Sequence, residues 1–317
     1  MNIEKIDFRS AVYADFAEGK NLFLQPKWLD YFQPEAESYL IRRGRESIAA
    51  FHLYRYKSMG GTYLISAPFA QNIGLQINYS SLKNYNFQSE TKRVMRVLTE
   101  FLTSQEKNSF LDLSLPPTIY DIQPAQWAGL KTSVKYTYLL SLDNSETELL
   151  AGMSAERRKN IRQSEKNNYE IRKNSDPLDV LILVRKSMRR AGEFFHDNVL
   201  ENMCAENHLM VDWFTVYKSG VPLATVIFAS DQHTAYYLAG GHDATMNDSN
   251  AGSYAMWLSL CEAKNSGRST FNFMGSSVPA IEQYFRHFGG KLTPYFKLER
   301  LPASVKWIKK IKRTFAN

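Results

Sequence analysis

The chain has 317 residues, 44% of them hydrophobic and 13% aromatic, which is enough for roughly two domains with cores of their own. No apolar run approaches the ~20 residues that a membrane-spanning helix needs. The start, Met1-Asn2-Ile3-Glu4-Lys5, lacks the charged-then-apolar pattern of a secretion signal, so the expected location is the cytoplasm. The formal net charge is +7, and it is concentrated in two places. Residues 156–173 hold seven Lys/Arg against three acids, and residues 303–317 hold Lys306, Lys309, Lys310, Lys312 and Arg313 with no acid. The rest of the chain is therefore near neutral.

In chain order, residues 38–42, a turn at Gly44 and residues 47–56 read as a hairpin, and residues 62–66 as a third strand. A helix over 89–103 turns Val94, Val97, Leu98, Phe101 and Leu102 inward. A strand at 110–115, a short helix at 121–126 and a strand at 136–142 follow, with a hinge expected at 141–148. Asp176-Pro177 is a helix start, an N-cap acceptor followed by proline at the first helical position, and Leu178, Leu181 and Ile182 supply its apolar face. Gly192 and Phe194-Phe195-His196-Asp197 end that helix before another over 199–207. The earlier order then returns: a hairpin from 212–218 and 222–229 around Ser219-Gly220, a strand at 233–239, a helix at 251–264, a strand at 269–274, a short helix at 279–287 and a strand at 292–298. The offset falls from 176 residues between Gly44 and Gly220 to about 160 at the later strands, because the loop before the helix is longer in the first half. The expected fold is α+β, with two similar domains at 1–142 and 143–302 and a tail at 303–317.

The helix over 251–264 carries Tyr254, Trp257, Leu258 and Cys261 at the spacing of one buried face. Its start, Asn250-Ala251-Gly252-Ser253, places a glycine where main-chain N–H groups face outward, a seat for a phosphate or other anion. The matching helix of the first half starts at Ser89-Glu90-Thr91, where a glutamate complements the helix dipole and repels phosphate. The donor therefore belongs to the second half, and the acceptor to the first half or the cleft between them. The only cysteines, Cys204 and Cys261, lie outside any CxxC or Cys/His cluster. Glycine-rich nucleotide loops, a GxSxG site and His/carboxylate metal spacing are absent, so no metal is expected. In the tail, Trp307, Ile308, Ile311 and Phe315 fall close to one helical face beside the cations, the pattern of a helix that lies on an anionic bilayer at the inner membrane.

The order hairpin, strand, helix, strand, helix, strand resembles the GNAT N-acyltransferases, and two in tandem resemble the FemABX-type transferases. The segments that carry the likeness are Trp127-Ala128-Gly129-Leu130 with Tyr136-Thr137-Tyr138, Arg157-Arg158-Lys159-Asn160-Ile161-Arg162, and Phe285-Arg286-His287-Phe288-Gly289-Gly290. The resemblance implies two tandem GNAT-like domains, each a mixed, mostly antiparallel twisted sheet flanked by helices, the first degenerate and on the acceptor side. It implies an N-acyltransferase or aminoacyltransferase that uses acyl-CoA or aminoacyl-tRNA as co-substrate and acts on an amine of a cell-envelope, peptidoglycan or polysaccharide precursor. Two departures stand out. The Gln/Arg-x-x-Gly-x-Gly/Ala loop of acetyl-CoA binders is replaced by Asn247-Asp248-Ser249-Asn250-Ala251-Gly252, where Asp248 opposes a pyrophosphate. Arg286 takes the place of the lysine in the FemABX Phe-Lys-x-x-Phe-Gly motif, and the insert between the halves is short.

Within that frame Asn250, Ala251, Gly252, Ser253 and Arg286 are expected to hold the donor. His242, with Asp243, is the expected proton acceptor, and Tyr237 or its neighbour Tyr236 lines the cleft. Asn272, Glu282 and Tyr284 are polar candidates for the substrate. Arg157, Arg158 and Arg162 are the candidates for phosphates of a nucleotide sugar, a lipid-linked acceptor or a tRNA end. The competing expectation is a catalytically silent tandem module that binds an anionic membrane surface or nucleic acid through these basic segments.

Overall fold

The computed structural model describes residues 1–58, 61–79, 86–105, 109–192, 197–205, 210–246, 248, 250–275 and 277–302. The tail at 303–317 and the turn at 194–196 lie outside the described residues. The fold is α+β, and the chain divides into two compact units, Met1–Lys135 with Pro294–Asn317, and Tyr136–Thr293.

The first unit begins with β1 (Asn2–Ile6), α1 (Ala11–Ala17) and α2 (Pro26–Leu29). It continues through β2 (Ala36–Arg43), β3 (Glu46–Ser58), β4 (Gly61–Ile65), the short β5 (Gln76–Ile77), α3 (Phe87–Ser104), β6 (Phe110–Ser114), α4 (Gln123–Trp127) and the start of β7 (Lys131–Ser141). The second unit adds α5 (Glu146–Gly152), α6 (Ala155–Ser164), β8 (Glu170–Lys173), α7 (Pro177–Ala191), α8 (Asp197–Ala205), β9 (Val211–Lys218), β10 (Val221–Ser230), β11 (Thr234–His242), α9 (Asn250–Asn265), β12 (Thr270–Asn272) and α10 (Pro279–Arg286). The last strand, β13 (Lys291–Arg300), starts in the second unit and ends in the first. Strands in the first unit run in the order β1-β2-β3-β4-β6-β13, and in the second β7-β12-β11-β10-β9-β8. Most neighbours are antiparallel, and β4 with β6 and β11 with β12 are parallel. The expected repeat is visible as the same element order in both units, each hairpin turning at a glycine of positive φ, Gly44 at 59° and Gly220 at 77°.

A linear boundary at 142/143 does not describe the chain. The strand β7 passes from one unit to the other after Lys135, and β13 returns to pair Lys297–Arg300 with β6. The expected hinge at 141–148 instead holds a helix start: Ser145 Oγ accepts from the Glu148 main-chain N–H, and Glu148 accepts from that of Ser145.

The first core packs α3 on one face of its sheet, with Val94, Met95, Leu98 and Leu102 fully buried against Phe51, Leu53, Leu64 and Leu113. Glu90 at the start of α3 is buried and paired with Arg43, so its charge is spent internally. On the other face of β3, His52 is fully buried, and neither ring nitrogen has a hydrogen-bond partner among the described residues. Burial pushes its pKa down to about 3.

In the second unit α9 lies between the strands β9 and β10 and the helix α6, so it is buried on more sides than its large apolar residues predict. Its buried residues are Ala251, Ser253, Ala255, Met256, Trp257, Ser259, Leu260 and Ala263, whereas Tyr254, Leu258 and Cys261 are only partly buried. Small residues let a helix approach two neighbours at once, and a pattern read from large side chains misses that face. Asp176 caps α7 by accepting from the Leu178 N–H at 2.9 Å, and Gly192 ends it at φ 66°, as the sequence predicts. Helix α7 crosses β11 so closely that a Cβ on Gly241 would lie 2.3 Å from the Leu183 carbonyl.

Candidate functional site

The second sheet opens between β11 and β12. The two strands pair only at Thr234↔Thr270, Ala235↔Phe271 and Tyr236↔Asn272, and β11 continues to His242 without that partner. Against β10 the register shifts between Ile227 and Phe228, which leaves Leu238 as an extra residue and bends the strand. On the other side β12 stops because the side-chain Oδ1 of Asn272 accepts from the Met274 N–H at 2.9 Å, and Met274 takes φ 66°. Asn272 Oδ1 also accepts from Thr137 Oγ1 at 2.8 Å, so this candidate for the substrate is a buried turn former.

Tyr236 and Tyr237 face opposite ways, as alternation requires. Tyr236 is buried and its hydroxyl donates to Asp231 at 2.8 Å. Tyr237 stands where β11 leaves β12, its ring edge-on to Phe285 at 5.0 Å. Its hydroxyl lies over Gly240, where a Cβ would be 2.5 Å away. Burial, with Tyr284 nearby, raises the Tyr237 phenol well above its ordinary range, so it keeps its proton at neutral pH. Tyr284, on α10, donates its hydroxyl to the Gly252 carbonyl at 2.9 Å.

The start of α9 is filled from within. Asp248 Oδ1 accepts from the Asn250 and Ala251 N–H groups at 3.0 and 3.1 Å, and its Oδ2 accepts from the Tyr169 hydroxyl at 2.5 Å. The amides expected to await an anion already hold a carboxylate, because an aspartate just before a helix is itself the favoured cap. Ser253 Oγ is held by Arg157 Nη1 at 2.8 Å. Beside Gly252 there is open space, since an added Cβ would meet nothing within 4 Å.

Arg157 is buried, whereas the sequence had it displayed for an anion. Its guanidinium stacks on Tyr284 and Phe288 at 4.8 and 5.6 Å, and its Nε has no hydrogen-bond partner among the described residues. Arg158 and Arg162 lie on the opposite side of α6 with Lys159, Gln163 and Lys166. Arg286 is exposed, its Nε 3.7 Å from Glu282. Aligned on Phe288-Gly289, the lysine position of Phe-Lys-x-x-Phe-Gly falls on Phe285, which is buried among Tyr237, Phe273 and Tyr284. Glu282 accepts from the Tyr138 hydroxyl at 2.6 Å, and burial with that carboxylate pushes Tyr138 up to about 12.

His242 and Asp243 do not form a working pair. Asp243 accepts from Lys186 Nζ at 2.6 Å and from Thr245 Oγ1 at 2.7 Å, which together hold its carboxyl below the usual range. His242 is exposed, with Arg190 Nη2 3.4 Å from Nδ1 and 2.8 Å from its carbonyl oxygen. Desolvation and the Arg190 charge, opposed by Asp243, lower its pKa. At about 3.3 Å per strand residue, His242 lies roughly 16 Å from Tyr237 along β11, too far to serve the same reacting atoms. The residues that do gather are Tyr237, Tyr284, Gly252, Ser253, Arg157, Phe285 and Phe288. Of these, Phe285 and Phe288 stand in the sequence only as letters of a motif. The internal claim on Arg157 by Ser253, 96 residues away, leaves no local signal.

Residues 155–286 match the family model of an acetyltransferase (GNAT) domain. Curated protein sequences give no match. Among solved structures, the chain is similar to FemX at 12% identity, over 93% of this chain and 97% of that one, with a TM-score of 0.66. It is also similar to L-PGS from Bacillus licheniformis at 10% identity, over 93% of both chains, with a TM-score of 0.53. A tandem GNAT protein from the clavulanic acid biosynthesis pathway matches at 10% identity, over 94% of this chain and 97% of that one, with a TM-score of 0.52. Residues 155–286 thus carry the signature of a GNAT domain, and the fold of FemX and of the tandem GNAT protein extends over nearly the whole chain.

Proposed function

We propose that this protein is an N-acyltransferase that moves an acyl or aminoacyl group from a phosphate-bearing donor, acyl-CoA or aminoacyl-tRNA, to an amine. The acceptor we assign is a small-molecule or lipid-linked precursor of the cell envelope or of a polysaccharide. The observation that carries this reading is Tyr237, a protonated phenol at the point where β11 and β12 part. In acyl transfer the amine nitrogen attacks the donor carbonyl carbon, and the tetrahedral oxyanion collapses with loss of a thiolate or a ribose alkoxide. Tyr237 gives its proton to that leaving group and is recharged from solvent, while the amine loses its own proton to water. N–H groups of β11 beyond its pairing with β12 serve the oxyanion, and Arg157 brings positive charge to the same neighbourhood.

Of the two donors, aminoacyl-tRNA suits these residues better. A CoA pyrophosphate at the start of α9 would have to displace the Asp248 carboxylate from two amides and meet its charge. The test is direct transfer: the protein is incubated with acetyl-CoA or with aminoacyl-tRNA and an amine acceptor, and the amide product is read by mass spectrometry. Product from either donor, reduced in Tyr237→Phe, is expected. No product from either donor, with every class of amine tried, would end the proposal.

A further inference from the structure

We propose that the open face of the first unit's sheet, where Tyr56, Tyr63 and Phe110 stack, is the contact by which two copies of this chain pair about a two-fold axis. Pairing through this face does not depend on the acyl-transfer reading above.

The repeat shows why the face is open. In the second unit α7, 15 residues long, covers β10 and β11 on the side away from α9, and both strands are buried on both faces over most of their length. Its counterpart in the first unit, α1, has only 7 residues and reaches β3. That is about 10 Å of helix against about 22 Å, at 1.5 Å per residue. Beyond the shorter helix, burial alternates along each strand. Thr62 and Leu64 of β4 and Leu111 and Leu113 of β6 are buried on the α3 side, while Tyr63, Ile65, Phe110 and Asp112 between them stay partly or fully exposed.

Tyr56 stands opposite Tyr63, and Tyr63 opposite Phe110. The three rings therefore stack across three strands, at 4.8 Å and 10° and at 4.5 Å and 2°. Their faces are spent on one another. Nucleobases and sugar rings need a free aromatic face, whereas a row of ring edges with phenol hydroxyls suits the side chains of a protein. Beside the rings lies a charged row: Asp112 meets Lys297 at 2.8 Å, Lys297 meets Glu299 at 3.8 Å, and Glu299 meets Lys131 at 2.9 Å. Two cations and two acids leave no net charge, so the row favours neither a polyanion nor an anionic bilayer. Its most exposed members have opposite signs, Lys131 at 73% and Asp112 at 53%. A second copy related by a two-fold axis presents the same set in reverse, which sets Lys131 of each copy against Asp112 of the other. Five strands ~4.8 Å apart, each showing about five residues, give a patch of roughly 300 Å², the scale of a transient dimer rather than an obligate one.

The experiment is sedimentation velocity of the full chain from about 1 to about 300 μM, where a dimer of this size should dissociate. We expect a monomer–dimer equilibrium with a dissociation constant in the micromolar range. Lys131→Glu leaves three acids against one cation on the face and should weaken pairing by about tenfold, with part of the loss recovered in high salt. Tyr56→Ala/Tyr63→Ala should weaken it at least as much, and melting curves check that both variants fold. Should the tyrosine variant unfold, Lys131→Glu decides alone, because that side chain is mostly exposed. Leu178→Asp, which alters an exposed apolar residue of α7, should pair as the unsubstituted protein does. A monomer at every concentration overturns the proposal and leaves the face to another occupant, such as residues 303–317 of the same chain. A dimer that survives both Lys131→Glu and the folded tyrosine variant, or that is lost in Leu178→Asp alone, overturns it as well.

Discussion

The carboxylate at the start of α9 does two things that substitution separates: it caps the helix, and it places negative charge where a pyrophosphate would sit. Asp248→Ala removes both. Losing the cap costs about 1 kcal/mol, and leaving the Tyr169 hydroxyl without its acceptor adds about 1 to 2 kcal/mol. At roughly 2–4 °C per kcal/mol for a unit of this size, melting should fall by about 5–10 °C. Asp248→Asn keeps a good cap, because asparagine ranks with aspartate there; it removes the charge, and its Nδ2 donates to the Tyr169 hydroxyl where Oδ2 had accepted from it. It should melt within about 2 °C of the unsubstituted protein. Two unit charges 5 Å apart interact by about 3 kcal/mol at an effective dielectric of 20, so after screening the Asn form should bind inorganic pyrophosphate and CoA at least tenfold more tightly. Thermal unfolding by circular dichroism and titration calorimetry with pyrophosphate read the two effects. An Ala variant as stable as its parent, or an Asn variant with no gain for pyrophosphate, would refute the reasoning that this helix start is sealed by its own side chain.

Replacing Tyr237 by Phe removes a hydroxyl that touches the leaving group in the proposed reaction, and kcat should drop by about 100-fold, with little change in stability, when single-turnover rates are compared. His52 gives an acid-limb prediction. Its folded pKa of about 3 lies below the unfolded value of 6.5, so the unfolded state takes the proton first and stability is lost as pH falls from 6.5 towards 3. The loss is about 1.4 kcal/mol per pH unit over that window; His52→Leu should flatten this limb in urea titrations, and identical pH slopes would refute it. Gly241→Ala should cost at least 2 kcal/mol, because its Cβ would overlap the Leu183 carbonyl at 2.3 Å and main chain cannot step aside cheaply. Gly252→Ala meets open space and should stabilise α9 by up to about 1 kcal/mol in chemical denaturation.

The element order was legible because hairpin glycines and helical spacing are local signals. The turns at Gly44 and Gly220, the cap at Asp176 and the inward Val94, Leu98 and Leu102 of α3 are readable from a few neighbouring letters. The capping box Ser145-x-x-Glu148 is equally local, and it marks a helix start where a hinge is expected. What was not legible depends on contacts across the chain. Arg157 looks like one member of a basic run until Ser253, Tyr284 and Phe288 claim it. Asp243 looks like a partner for His242 until Lys186 takes it. The strand β12 ends at Asn272, short of the predicted residue 274, since nothing in the letters shows that the Asn272 side chain will turn the main chain at Met274. The two claims on Asp248 fall between these cases, because the cap is local whereas the hydroxyl of Tyr169 comes from 79 residues away.

The return of β13 to β6 orders events during synthesis. The segment Tyr136–Thr293 is continuous, so it holds all of its own strands before translation ends. The N-terminal unit, made first, keeps an unsealed margin at β6 until Lys297–Arg300 emerge to pair with it. Nascent chains halted anywhere before that point would therefore expose Leu111 and Leu113 on an open strand. The unit that begins the polypeptide is the one that must wait to finish.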